Sequence, residues 1–389
     1  MAGLSAASAL SRSGWEVVVF ERSRHPLQGR GAGIVLHPVV FQLLDRDPAD
    51  ISARAALLRY LDRTGAVASE QPCDYRFISY SGLHGLLLEG IELDSYHLGC
   101  EVVDFAERPG RVEVVLADGR RERGDLLVCA DGIRSTARQK LLPDVRPAQA
   151  GYVAWRGTVI ERDLGEQTLS TFADAITYCI LPNSHILVYP IPGYDGSLDP
   201  GSRLINWVWY RNVGAEALDE LLVDRNGVRH DVSVGSGQVP DRTVDQLATD
   251  ANSILPPQLV ELVTKSDEPF VQVVYDIAVP RMAFGSIALI GDAAFALRPH
   301  VAAGTAKAVE DGWTLARTLA DSPQDLPGAL AEWEAAQLRL GTAAVDRARD
   351  AGIRSQVDDD WHVGDPLPFG LHEAGDSLLT DGADPGRRH

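Results

Sequence analysis

Small and apolar residues recur at helical spacing from Ala2 to Leu10, Gly14 interrupts them, and a β-branched run, Val17-Val18-Val19, ends at Glu21. A short helix leading into an apolar strand is the second half of a βαβ unit. A strand and a glycine-rich turn should precede that helix, and here the first residue already lies inside it. The pattern therefore predicts a parallel α/β sheet with its first strand missing, and a Met1 that is internal to a longer natural chain.

Further along, EVVDFAERPG, RVEVVLADGR and RERGDLLVCADG read as strand, turn, strand, turn, strand, with Pro-Gly and Asp-Gly at the corners. Asp125 to Ala130 is almost continuously apolar, which predicts a strand covered on both faces. From 151 to about 275 the texture changes to alternating, aromatic-rich segments such as YVAWRGTV, ITYCIL, HILVYPIP and RLINWVWYR, the pattern of an antiparallel lobe. Tyr189, Trp207 and Tyr210 alternate within it, so only some of them can face a pocket.

The α/β texture returns with SIALIGDAA running into AAGTAKAVEDGWTLARTLA, a strand followed by an amphipathic helix. A second helix, about 328–355, carries Leu330, Trp333, Leu338 and Val345 on its apolar face. The acidic, Pro- and Gly-rich stretch after Gln356 is expected to be irregular. The chain thus divides into 1–150, 151–275, 276–355 and a tail, 356–389.

Charge narrows the partners. Against 36 Lys and Arg stand 55 Asp and Glu, a net charge of −19 over 389 residues with no basic tract, so a nucleic-acid backbone is repelled and a small molecule fits better. Cys73, Cys100, Cys129 and Cys179 lack metal-site or disulfide spacing, which points to a reducing cytoplasm and no metal. The apolar start lacks the charged n-region of a signal peptide, and no segment reaches the ~18 apolar residues of a membrane span.

Three short motifs carry chemistry. Gly3 opens a helix and Glu21 ends the next strand, where an acid accepts hydrogen bonds from ribose hydroxyls while the helix N-terminus faces a pyrophosphate. CADGIRSTAR places Asp131 and Gly132 after a strand, and its plainer reading is a turn capped by Ser135. In LIGDAAFALRPHVAAGTAKA, Gly291-Asp292 closes a strand, and Gly304-Thr305 begins a helix with free amides.

In this order the motifs resemble the FAD-dependent aromatic hydroxylases of the para-hydroxybenzoate hydroxylase fold. Within that superfamily LQGRGAGIVLHP, GYVAWRGTV, LVYPIPG, NWVWYRNV and RPHVAAGTAKA look like the 2,6-dihydroxypyridine 3-hydroxylase subfamily. The resemblance implies a Rossmann-like FAD-binding domain with an inserted antiparallel-sheet substrate domain, and a homodimer. It also implies NAD(P)H and O2 as co-substrates of a hydroxylation of an electron-rich aromatic or hydroxypyridine-type ring through a flavin hydroperoxide.

By the same resemblance Glu21 and Arg22 would hold the adenosine ribose, and Arg30 would lie near the flavin. Asp131 would serve FAD and NAD(P)H, Asp292 the ribityl hydroxyls, and Pro299, Gly304 and Thr305 the flavin ring. Phe295, Ala302 and Ala306 depart from the superfamily's commoner His, Gly and Asn.

A base titrating near neutrality would remove a phenolic proton from the ring, and His300, after Pro299, is the candidate. The alternative is that it only hydrogen-bonds its own loop. His37 is the second candidate, unless it merely caps the helix that follows it. Two rival readings stay open: an FAD-deficient, non-catalytic chain, and another flavin oxidoreductase such as a halogenase, which Trp207-Val208-Trp209 brings to mind.

Overall fold

The computed structural model describes residues 1–25, 33–108 and 110–372. Its largest feature is a sheet of ten strands in the order Ser233–Val234, Phe270–Ala278, Ala148–Ile160, Leu204–Asn212, Ser184–Ile191, Ala175–Leu181, Ala53–Leu61, Val67–Ser79 and Gly33–Val35, with Phe295–Ala296 paired to Phe270–Ala278. All pairs are antiparallel except Ala175–Leu181 with Ala53–Leu61. The lobe expected at 151–275 therefore reaches outside those bounds. It recruits strands from 33–79, because Ala175–Leu181 would otherwise present an unpaired apolar edge.

Period-two alternation divides this sheet into two faces. One carries Trp207, Trp209, Ile186 and Val188 into a core closed by the helices Asp241–Ile254 and Pro257–Thr264. The opposite face carries Tyr152, Ala154, Leu187, Tyr189, Val208 and Tyr210.

The α/β half is built on the helix Ala2–Arg12, which crosses the helix Gly304–Asp321 closely enough that a Cβ on Gly312 would lie 2.6 Å from Ala6 N. Glycine is required there by that approach. The second predicted helix runs Leu326–Gln356 and buries Leu330, Trp333 and Val345 almost completely, with Leu338 packed at the margin. Among the described residues of this half the parallel strands form two separate ladders, Val19–Glu21 with Tyr96–Leu98 and Leu127–Cys129 with Ile287–Leu289. The strand expected to be covered on both faces is instead half-buried at Leu127 and Val128, because both border a cavity that lies between the ladders. No helix among the described residues is long and apolar enough to cross a membrane.

Candidate active site

That cavity, about 1710 Å³, is continuous from the gap between the parallel ladders to the inner face of the large sheet. Two helices start at its wall. In Ala2–Arg12 the first helical amide to find an acceptor is Ser5, donating to Met1 O at 2.9 Å, and no side chain caps the turn. In Gly304–Asp321 it is Lys307, donating to Ala303 O at 2.8 Å, again without a side-chain cap. The first-turn amides of both helices thus lack an intrahelical partner, and Gly3, Gly304 and Thr305 line the cavity. Such N-termini favour anionic or carbonyl oxygen.

The two glycine-acid turns sit between these helix starts. Gly291 has φ +59 and a Cβ there would stand 2.6 Å from Ala2 Cβ, so both conformation and the neighbouring helix demand glycine. Gly132 has φ +76, Asp131 Oδ2 accepts from Ala137 N at 3.1 Å, and Ser135 Oγ accepts from Arg138 N at 2.8 Å. The capped-turn reading of this motif is present in full, and Asp131 and Gly132 still border the cavity. Arg138, wholly buried, ties the two turns together by donating to Ile133 O at 2.5 Å and Ala293 O at 3.0 Å. Burial lowers its guanidinium pKa, with the Asp131 carboxylate acting in opposition.

Behind Gly291 stands a buried ion pair one helical turn apart, Lys307 with Asp311. Asp311 Oδ2 accepts from Gly291 N at 2.8 Å, Lys307 Nζ also donates to Gln337 Oε1 at 3.2 Å, and the ammonium lies 5.0 Å from the centre of the Phe295 ring. Phe295, where the superfamily commonly has His, is core beneath a cation. Asp292 projects into the cavity, and its carboxyl is raised above the usual range by desolvation first, with the Asp311 carboxylate adding to it and Arg138 opposing. Glu21 uses Oε1 to accept from Ser23 N at 2.8 Å, and with Arg22 it lines the cavity. Pro299 lines the same wall, and Arg30 lies outside the described residues.

Past Pro299 the cavity opens into an aromatic chamber on the sheet's inner face. Tyr189 and Tyr210 line it. Trp207 does not, because its strand turns it to the opposite face, where Nε1 donates to Ser266 Oγ at 2.7 Å. His300 is buried, 4.7 Å from the Tyr210 ring and 5.2 Å from the His185 ring, centre to centre. Its Nε2 lies 2.7 Å from Tyr152 Oη. The Arg298 guanidinium carbon stands 5.8 Å from the centre of the Tyr152 ring. Arg298 is held in turn by Asp276 at 2.8 Å.

Burial, with the Arg298 cation adding to it, pushes His300 down to about 3. The sequence leads one to expect a base titrating near neutrality here, whereas burial and the Arg298 cation both favour the neutral imidazole. His37 occupies the helix-capping position without capping. Its Nε2 instead donates to Ala302 O at 2.8 Å, and burial lowers its pKa. Ala302 there adopts φ 51, the left-handed region that the superfamily's glycine takes without strain.

His185 was not singled out by the sequence pattern. It is buried in the chamber, accepting at Nδ1 from Ser355 Oγ at 2.7 Å, and its imidazole is pushed well below its ordinary value by burial and by His300. Its only signal is register: His185, Leu187 and Tyr189 occupy one face of HILVYPIP opposite Tyr210, Val208 and Asn206. Arg156, on the same face of its strand as Tyr152 and Ala154, also lines the chamber. Its buried Nε lacks a hydrogen-bond partner, and it makes no ion pair among the described residues.

This geometry agrees with what the chain is similar to. Residues 149–276 match the family described as FAD binding domain-like. The 2,6-dihydroxypyridine 3-monooxygenase of Paenarthrobacter nicotinovorans is 36% identical over 388 residues, 98% of this chain and 96% of that protein. The chain belongs to the FAD-dependent aromatic monooxygenases. A solved 2,6-dihydroxypyridine-3-hydroxylase from Arthrobacter nicotinovorans superposes on this monooxygenase with a TM-score of 0.91 at 34% identity, covering 97% of this chain and 96% of that one. Klebsiella pneumoniae HpxO, solved with FAD and uric acid, shares the fold at 23% identity, TM-score 0.74, covering 92% and 86%.

The residues present fit FAD: two uncapped helix N-termini, a carboxylate at each end of the groove, and glycines where a side chain would collide. The fold is thus the expected Rossmann-like domain with an antiparallel substrate sheet.

Proposed function

We propose that this monooxygenase adds one oxygen atom of O2 to a small hydroxypyridine-type ring, with NAD(P)H as electron donor, and that the ring binds in the aromatic chamber. The observation that carries this reading is one cavity joining the dinucleotide-shaped groove to a chamber lined by His185, Tyr210, His300 and the unpaired Arg156. The residues proposed to hold FAD are Gly3, Glu21 and Arg22 at the adenosine end, with Asp131 and Gly132 beside them. Gly291, Asp292, Pro299, Gly304 and Thr305 would hold its ribityl and flavin portions. Bound there, FAD supplies the redox and oxygen-activating chemistry.

The chain's own residues have three tasks. The inner face of the sheet keeps water away from the reacting ring. Tyr210 has its pKa raised by burial, so it stays protonated and offers a hydrogen bond. His185 and His300 stay neutral and donate or accept without changing charge. Arg156 supplies a cation whose buried Nε has no hydrogen-bond partner, and an opposite charge favours the deprotonated form of a bound hydroxypyridine. Ring nucleophilicity then comes from the substrate's own ionisation, held by Arg156, and not from a histidine base.

The test is product formation by FAD-loaded protein with NADH or NADPH and a panel of hydroxypyridines, phenols and hydroxybenzoates. The expected result is oxidation of the nicotinamide stimulated by hydroxypyridines, a product one oxygen heavier, and kcat/KM following the substrate's pKa. Absence of any oxygenated product across the panel overturns the reading. The resemblance also makes a cytoplasmic homodimer part of the proposal, checked by cell fractionation and light scattering.

A further inference from the structure

The segment after the long helix, 357–372, has no helix or strand, yet it is fastened at both ends. Near its start Asn183 Nδ2 donates to Val357 O at 2.8 Å, Asn183 N donates to Asp359 Oδ1 at 3.0 Å, and Arg354 pairs with Asp365 at 2.7 Å. Near its end Gly370 N donates to Val301 O at 3.0 Å, beside His300, and Arg347 donates to the carbonyl oxygens of Gly370 and His372 at 2.8 and 2.9 Å. Between these anchorages Leu367 is 7% exposed, and Phe369 meets the Tyr75 ring edge-on at 5.4 Å. Trp361 stands edge-on to two rings of the sheet, His185 at 4.7 Å and 88°, and Tyr178 at 5.2 Å and 82°. Trp361, Leu367 and Phe369 all border the chamber.

We propose that this segment is the outer wall of the ring-binding chamber and that Trp361 sets its width, restricting the site to single-ring heteroaromatics. The inference rests on the chamber being where the ring binds. His185, Tyr210 and His300 form the inner side, three rings within 5.2 Å of one another. The Trp361 indole closes the side beyond His185. Held across His185 and Tyr178, it cannot swing aside without giving up both aromatic contacts and the anchorages that flank it. A ring fused onto a hydroxypyridine needs space for four more carbons, and a closely packed wall discriminates about tenfold or more for each carbon added. The wall is a specificity device and needs no part in electron transfer, since no FAD-holding residue named above lies in 357–372.

Binding tests it apart from turnover. Isothermal titration of FAD-loaded wild type, Trp361→Phe and Trp361→Ala with 2,6-dihydroxypyridine and with 2-hydroxyquinoline gives the ratio of the two Kd values for each protein. The expected result for Trp361→Ala is a shift of at least tenfold in favour of 2-hydroxyquinoline, with FAD stoichiometry unchanged, while Trp361→Phe stays within threefold of wild type. Trp361→Leu carries the same expectation at threefold or more, should the Ala variant fail to retain FAD. A ratio within twofold of wild type in an FAD-loaded Ala or Leu variant overturns the assignment of Trp361 and leaves the chamber standing. Failure of 2,6-dihydroxypyridine to bind the wild type overturns the chamber reading and the wall with it, whereas 2-hydroxyquinoline too weak to measure on wild type supports the wall and makes the ratio a lower bound.

Discussion

Two neutral histidines buried in the chamber make the fold sensitive to acid in a calculable way. His300 is held at about 3, and His185 is depressed in the same direction, both by burial. In the unfolded chain each has a pKa near 6.5. A histidine with a depressed native pKa contributes full stability above the unfolded value. That stability is lost as pH falls, because the unfolded state takes up a proton that the native state does not.

At pH 5.5, one unit below the unfolded value, each such histidine costs about 1.4 kcal/mol relative to pH 7.5, so the pair costs about 2.8 kcal/mol. Urea unfolding of FAD-loaded wild type, His300→Asn, His185→Gln and the double variant at pH 7.5 and pH 5.5 measures this. Each single variant is expected to lose about 1.4 kcal/mol less than wild type over that interval, and the double variant about 2.8 kcal/mol less. Contributions from His37 and the surface histidines are common to all four proteins and cancel. Equal acid losses in wild type and His300→Asn, within about 0.4 kcal/mol, would falsify the placement of His300 as a buried neutral imidazole.

Other expectations follow from the packing around the cavity. Lys307→Met leaves the Asp311 carboxylate buried without its cation and is expected to cost about 3–5 kcal/mol in urea unfolding, of which Lys307→Met/Asp311→Asn recovers at least half. Gly312→Ala gains about 1 kcal/mol of helix propensity but drives a Cβ against the backbone of Ala6, so thermal unfolding should show a net loss of about 1–2 kcal/mol. Asp292→Ala is expected to weaken FAD binding by about tenfold or more in fluorescence titration while leaving far-UV circular dichroism unchanged, and an unaltered FAD Kd removes it from the proposed site.

Local pattern alone determined the α/β start, the strand alternation of the middle lobe, the two long helices and the order of the three motifs, because each depends on residues a few positions apart. Register told which side of a strand could face a pocket, and Tyr210 and Trp207 did separate to opposite faces. Only the tertiary structure decided the rest. Strands from 33–79 joined the substrate sheet because an apolar edge 100 residues later needed covering. His300 is held neutral by burial and by Arg298, and its partner Tyr152 comes from 148 residues earlier in the chain, a setting that Arg298-Pro299 alone does not reveal. His185 and Trp361 reached the chamber from a strand interior and an irregular tail, 176 residues apart, where no periodicity marks a side chain for chemistry. Burial and charge are sums over the whole fold, and for that reason the sequence pointed to the nucleotide groove while the chamber's chemistry awaited the packed structure.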